Sequence, residues 1–260
     1  LAELVRVEKE AGIAIVTIVN PPMNVLSKAV TEALLHRFRE LKEDANVRVV
    51  VLTGDGERAF MAGADIKEFP EALGQPGVAL EMAERLHETM NFIDYFPKPT
   101  IAALHGFTLG GGLELALTCD MRICDEGSIL GLPEIKLGIF PGAGGTQRLP
   151  RLIGEARAKE IMFTGEPIDA HTAAQIGLVN RVVPKGESLQ AAKELAQLIA
   201  SRSLATLSLL KQTIDDGAVL PLTQAVEVEA KRFDAAFQTN DAAEGIQAFI
   251  EKRKPNFSHR

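Results

Sequence analysis

Two hydrophobic periods alternate along the first two thirds of this chain. "LVRVEKEAGIAIVTIVN" holds two β-branched runs about a small-residue break, which predicts two strands joined by a tight turn at Ala11-Gly12. "SKAVTEALLHRFRELKE" (27 to 43) then sets Val30, Leu34, Leu35, Phe38 and Leu41 at helical spacing, with Ser27 as N-cap. "VRVVVLTG" (47 to 54) is a continuous apolar run, the pattern of a strand buried on both faces. A helix over 77 to 95 follows, then strands at "TIAALHG" (100 to 106) and "MRICDE" (121 to 126). Strands alternating with helices predict an α/β fold with parallel strands.

From about Ala191 the strand signals stop. "LQAAKELAQLIASRS", "LATLSLLKQTIDDG", "LTQAVEVEAKRFDAAFQT" and "DAAEGIQAFIEKRK" all fit helical spacing. The chain therefore divides into an α/β core, 1–190, and a helical region, 191–260. Those helices have broad apolar faces that must pack on the core or form a subunit interface.

Composition narrows the class. Apolar residues are 46% and charged residues 24% of the 260, ordinary for a globular protein in water. No run suits a membrane span, and residues 1 to 20 mix charges among apolar positions, unlike a signal peptide. A net charge of −7 opposes general binding to nucleic acid or anionic lipid. Cys119 and Cys124 form a lone C-x4-C pair, and the five histidines lie apart. Neither a disulfide framework nor a metal site is expected. A reducing compartment fits: the cytoplasm, or the mitochondrial matrix had a leader been removed.

Several familiar sites fail on spacing. "GDGERA" (54 to 59) matches a dinucleotide pattern, but Gly63 interrupts the helix that should follow, so Asp55-Gly56 reads as a turn. No lysine follows the glycine runs as a Walker loop requires, and there is no G-x-S-x-G elbow. Three segments remain: "FMAGADIKE" (60 to 68), "GFTLGGGLELA" (106 to 116) and "LGLPEIKLGIFPGAGGTQRLP" (130 to 150). Each offers glycines that let a ligand approach the backbone, and two converging N–H groups would hold a developing oxyanion. Glu114 and Glu134 sit among apolar residues beside these turns. Taken alone, Glu114 reads first as a first-turn acid favoured by the helix dipole, and with Glu134 it could form an acid/base pair.

Taken together, "AFMAGADIKEF", "HGFTLGGGLELALTCD", "LPEIKLGIFPGAGGTQRLPRLIG", "AAQIGLVNRVV" and "FQTNDAAEGIQAFIEKRKPNF" resemble the enoyl-CoA hydratase (crotonase) family, in the family's order. The resemblance implies a spiral of ββα turns followed by a helical trimerisation region, and a homohexamer built as a dimer of trimers. It implies that Ala64 and Gly111 supply the oxyanion-hole N–H groups. Ala62, Ala64, Asp65, Ile66 and Lys67, with Gly111 and Gly142, match substrate-binding positions, Gly142 at the place of an N–H that holds the attacking water. Glu114 and Glu134 match the two catalytic glutamates. The implied reaction is syn hydration of a trans-2-enoyl-CoA by a single-function enzyme in fatty acid β-oxidation. No cofactor is expected, since the coenzyme A belongs to the substrate, and no metal, nucleic acid or membrane partner. An enoyl-CoA isomerase on the same fold is the alternative, as is an RNA-binding relative suggested by the basic tail "EKRKPNFSHR". Leu132 departs from the polar residue many single-function hydratases carry at its position.

Overall fold

The computed structural model describes residues 3 to 259. Strands β1 (Val5–Glu10) and β2 (Ile13–Ile18) form the expected hairpin. Its turn rests on Ala11 and Gly12, both at positive φ. Helix α1 (Lys28–Glu43) starts where the Ser27 hydroxyl accepts the Val30 N–H at 3.3 Å. It buries Val30, Thr31, Leu34, Phe38 and Leu41, while Leu35 lies half-buried at the margin of that face. Then come β3 (Val49–Gly54), β4 (Ala59–Ala62), a 3₁₀ turn (Ile66–Ala72), α2 (Val78–Asp94), β5 (Thr100–Leu104), β6 (Phe107–Leu109), α3 (Gly111–Ala116), β7 (Met121–Asp125) and β8 (Ile129–Gly131). After β3 the chain turns directly into β4, so no helix opens at "GDGERA".

A second 3₁₀ turn (Pro133–Leu137) leads to α4 (Gly145–Ile153), α5 (Glu155–Thr164), β9 (Ile168–Asp169), α6 (Ala170–Gln175) and β10 (Arg181–Val183). The chain closes with α7 (Ser188–Ala200), α8 (Leu204–Gly217), α9 (Leu222–Phe237) and α10 (Asn240–Ile250). No described helix is long and apolar enough to cross a membrane.

The strands sort into two sheets, ordered β1-β2-β3-β5-β7-β10 and β4-β6-β8-β9. Pairing is parallel except for β1 with β2 and β8 with β9. Each turn of the chain thus gives one strand to each sheet: β3 then β4, β5 then β6, β7 then β8. This is the α/β spiral that the family resemblance implied.

Strand alternation divides the large sheet between two cores. Val16, Ile18, Val50, Leu52, Ala102 and Leu104 face the main core, where Leu34 and Phe38 of α1 and Met90 and Ile93 of α2 pack. Ile15, Val49, Val51, Ile101 and Ala103 face the opposite way and meet Ala192, Ala196 and Ala200 of α7. These alanines recur every fourth residue, so one smooth stripe lets the helix backbone lie close to the sheet. That cover is why the run Val49, Val50, Val51 and Leu52 is buried on both faces.

Helices α8 to α10 stand apart from this core. The one buried side chain of α8 is Lys211, whose Nζ lies 2.8 Å from Asp120 Oδ1, just beyond α3. The Ser208 hydroxyl donates to the Pro97 carbonyl at 2.6 Å. Helix α9 buries none of its side chains, and Leu222, Phe233, Phe237 and Phe249 are all exposed.

Replacing Ala196 with leucine would force α7 off the sheet, and overpacking of this kind costs about 1–3 kcal/mol. We expect a lower urea midpoint with an unchanged slope. An unchanged midpoint would contradict the seating of α7 described here.

Candidate active site

The site begins where β4 and β6 end side by side, with Ala62 paired to Leu109. Beyond Leu109 come three glycines, each meeting a different neighbour. A Cβ on Gly112 would lie 2.0 Å from the Met61 carbonyl oxygen, so only glycine lets α3 start this close to β4. A Cβ on Gly110 would lie 2.7 Å from Glu134 Oε1, in the space taken by that carboxylate. At Gly111 a Cβ would stand 3.6 Å from the Ala64 nitrogen and 3.1 Å from Leu26 Cδ2. The Gly111 backbone is therefore brought up against the Ala64 amide.

Among the described residues both amides are free. Leu26 bridges the chain around Ala64: its N–H donates to Gly63 O at 2.8 Å and its carbonyl accepts from Asp65 N at 3.0 Å. In a parallel bridge of this kind the central residue's own N–H points to the other side. Gly111 is the first residue of α3, where an N–H has no intrahelical acceptor. Among the described residues neither Ala64 N nor Gly111 N donates to any group.

Glu114 lies three residues into α3 and is 3% exposed. Its Oε1 accepts the Ala143 N–H and the Gly145 N–H, both at 2.8 Å, and its Oε2 has no protein partner among the described residues. Burial pushes its carboxyl above the usual carboxylate range. The two amides oppose that shift, as do the charges of Arg148 and His87. Leu132 is fully buried and reaches the same space over Gly145 as the Glu114 stem. An apolar side chain thus closes one side of the carboxylate.

Glu134 is held by the 3₁₀ turn that Pro133 opens. Its Oε2 is buried with no hydrogen-bond partner among the described residues. Desolvation, reinforced by the charge of Glu114, pushes its carboxyl up to about 7. The two glutamates thus flank the glycine turn and feel one another, but among the described residues only Glu114 takes amides from another segment, while Glu134's shift is opposed by its own backbone N–H. Burial raises both carboxyls, and Glu114 differs in being anchored through one oxygen by two backbone donors.

The remaining sequence-derived positions lie around this centre. Ala62 ends β4, and Asp65 caps the following 3₁₀ turn by accepting the Lys67 N–H at 3.1 Å. Ile66 and Lys67 are exposed on that turn. Gly142 is exposed, and its carbonyl lies 2.8 Å from His87 Nε2. The amides that reach Glu114 belong to its neighbours Ala143 and Gly145. Sequence reasoning passed over these two, together with Arg148, His87, Asn91 and Asp94. Arg148 donates to Asp94 Oδ2 at 2.8 Å, to Asn91 Oδ1 at 2.7 Å and to the Ala143 carbonyl at 3.3 Å. The available signal was the i, i+4, i+7 spacing of His87, Asn91 and Asp94, a polar stripe on α2.

A spiral of paired strands that sets two free amides beside one buried and one half-buried carboxylate at one end is the crotonase fold. The model of the enoyl-CoA hydratase/isomerase family matches residues 8–260. A probable enoyl-CoA hydratase of Bacillus subtilis is 47% identical over 94% of this chain and 95% of its own. The crotonyl-CoA hydratase of Syntrophomonas wolfei is 40% identical over 98% of each. The crystal structure of an enoyl-CoA hydratase from Bacillus anthracis superposes with a TM-score of 0.94 at 40% identity, covering 99% of this chain and 100% of its own. The chain belongs to the enoyl-CoA hydratase/isomerase family.

The Glu134 carboxyl makes stability depend on pH. Between the ordinary value of 4.5 and about 7 the folded protein keeps a proton that the unfolded chain releases. Its contribution therefore falls as pH rises through that window and levels off above it. Glu134→Gln removes the term. We expect the stability of the variant relative to the parent to grow by about 1–3 kcal/mol from pH 5 to pH 8, discounted for the half-buried position. Urea titrations at both pH values check this, and a constant difference would refute it.

Proposed function

We propose that this protein is an enoyl-CoA hydratase, adding water syn across the double bond of a trans-2-enoyl-CoA to give a 3-hydroxyacyl-CoA. The supporting observation is the pairing of two unequal glutamates with two free amides around one glycine turn. In the proposed complex the thioester oxygen accepts from Ala64 N and Gly111 N. These donors polarise the conjugated system and carry the enolate charge that develops as C3 is attacked. A single such donor is typically worth about 3–4 kcal/mol of transition-state stabilisation.

Glu114, anchored through Oε1, presents Oε2 to a water and takes its proton as the oxygen bonds to C3. Glu134 gives its proton to C2. The atoms of one water are thereby added to the substrate, and proton exchange with solvent resets the pair. Ala62, Asp65, Ile66 and Lys67 line the bound thioester, and the Gly142 backbone supports the water. The reading calls for no cofactor beyond the coenzyme A of the substrate. A place in fatty acid β-oxidation in the cytoplasm suits this chemistry. The exposed apolar faces of α8 to α10 suit a homohexamer, a dimer of trimers with these helices as the trimerisation region.

Spectrophotometric loss of the conjugated thioester band with crotonyl-CoA tests the proposal. Glu114→Gln and Glu134→Gln should each lower kcat by about 10²- to 10⁴-fold with substrate binding retained. Parent-like turnover in both variants would overturn the assignment. Migration of the double bond of a 3-enoyl-CoA without hydration of a 2-enoyl-CoA would replace hydratase by isomerase.

A further inference from the structure

The loop that supplies the Glu114 donors is held from outside the site by one face of α2. His87, Asn91 and Asp94 recur at i, i+4 and i+7, so all three project from that face. His87 Nε2 meets the Gly142 carbonyl at 2.8 Å. That oxygen can only accept, so His87 carries its hydrogen on Nε2. Asn91 Oδ1 and Asp94 Oδ2 take two nitrogens of the Arg148 guanidinium at 2.7 and 2.8 Å. The third nitrogen turns back to the Ala143 carbonyl at 3.3 Å. Loop residues 142 and 143 are thus gripped by their carbonyls, on the outside. The Ala143 and Gly145 N–H groups point inward and bond the same oxygen of Glu114 at 2.8 Å each.

We propose that Arg148, with His87, Asn91 and Asp94, forms a positioning set that fixes Glu114 for water activation by clamping residues 142–145 from α2, a role that presupposes the hydratase activity proposed above. None of the four is assigned a contact with the substrate. The guanidinium suits the task because its planar fork engages three acceptors in fixed directions, which a lysine cannot do. The clamp lies between two elements of different turns of the spiral. The α2 helix follows the 3₁₀ turn that begins at Ile66, and α4 begins with the donor loop itself. Placement of the base therefore depends on how those two turns are locked together. Misplacing a reacting group by about 1 Å can cost on the order of 10²-fold in rate, and that loss falls on kcat when substrate contacts are intact.

Four variants test the clamp: Arg148→Met, Arg148→Lys, Asn91→Ala and His87→Ala. Asn91 is exposed and His87 half-buried, so the last two keep the fold even if an Arg148 variant does not. Two readouts are compared: steady-state hydration of crotonyl-CoA, and amide hydrogen exchange at Ala143 and Gly145 by NMR. We expect Arg148→Met to lose about 10- to 100-fold in kcat, and Asn91→Ala and His87→Ala about 3- to 10-fold, with KM within about threefold in each. Arg148→Lys should fall with Arg148→Met, because charge without the fork does not rebuild the clamp. Exchange at Ala143 and Gly145 should quicken in all four while exchange in β3 and β5 stays at the parent rate. Unchanged exchange at those two amides in Asn91→Ala and His87→Ala would overturn the proposal, whatever the rates. So would losses confined to KM, or full activity in Arg148→Lys. Faster local exchange in the variants of a parent protein that hydrates no enoyl-CoA would instead uphold the clamp and reject the hydratase assignment.

Discussion

The contact on which the site depends is a close approach of two backbones. Gly112 sits so near the Met61 carbonyl that a single methyl group would collide with it. Because no side chain separates them, α3 begins directly against the end of β4, and the Gly111 backbone comes close to the Ala64 amide. The same placement carries Glu114 inward, so that its carboxylate is buried rather than resting on the surface near a helix start. Backbone donors that are oriented before a ligand arrives need no reorganisation, which is what gives electrostatic stabilisation its force. The polar chemistry here is a consequence of steric permission.

The two glutamates show how one fold produces unlike behaviour from like groups. Both lose solvent, which favours the uncharged form. Glu114 is then given two N–H groups and the fields of Arg148 and His87, while Glu134 receives the repulsion of Glu114 and leaves one oxygen without a partner among the described residues. The difference lies in the neighbourhood and not in the residue type. It also spans the chain, since the donors to Glu114 come from a loop 29 and 31 residues beyond it. That loop is in turn held by a helix that precedes both.

Much of the architecture was legible because it rests on local rules. The Ala11-Gly12 turn, the Ser27 cap and the doubly buried run after Val49 each follow from a few adjacent residues, and each is found as read. The short strands β6, β8 and β9 have three, three and two residues, too few to show a period. The glycine run was visible as a feature, yet the separate reasons for Gly110, Gly111 and Gly112 are contacts to Glu134, Ala64 and Met61, which no local pattern reveals. Glu114 and Glu134 were identified, but not the amides that distinguish them. Histidine, asparagine and aspartate along α2 look like an ordinary solvated face until Arg148 is brought against them from another turn. The alanines of α7 were counted with the terminal helices, and the structure lays them on the large sheet.

That alanine stripe bears on how the protein can drift in sequence. Ala192, Ala196 and Ala200 occupy a seam with no room for a larger group, so that face of α7 admits only substitutions that keep a small side chain. The outward face of the same helix, where Leu198 is exposed, meets no such limit within the chain. Two faces of one helix should therefore diverge at unequal rates among descendants. The slow face would preserve the depth of the sheet, and the fast one would be free to change what the helix meets outside.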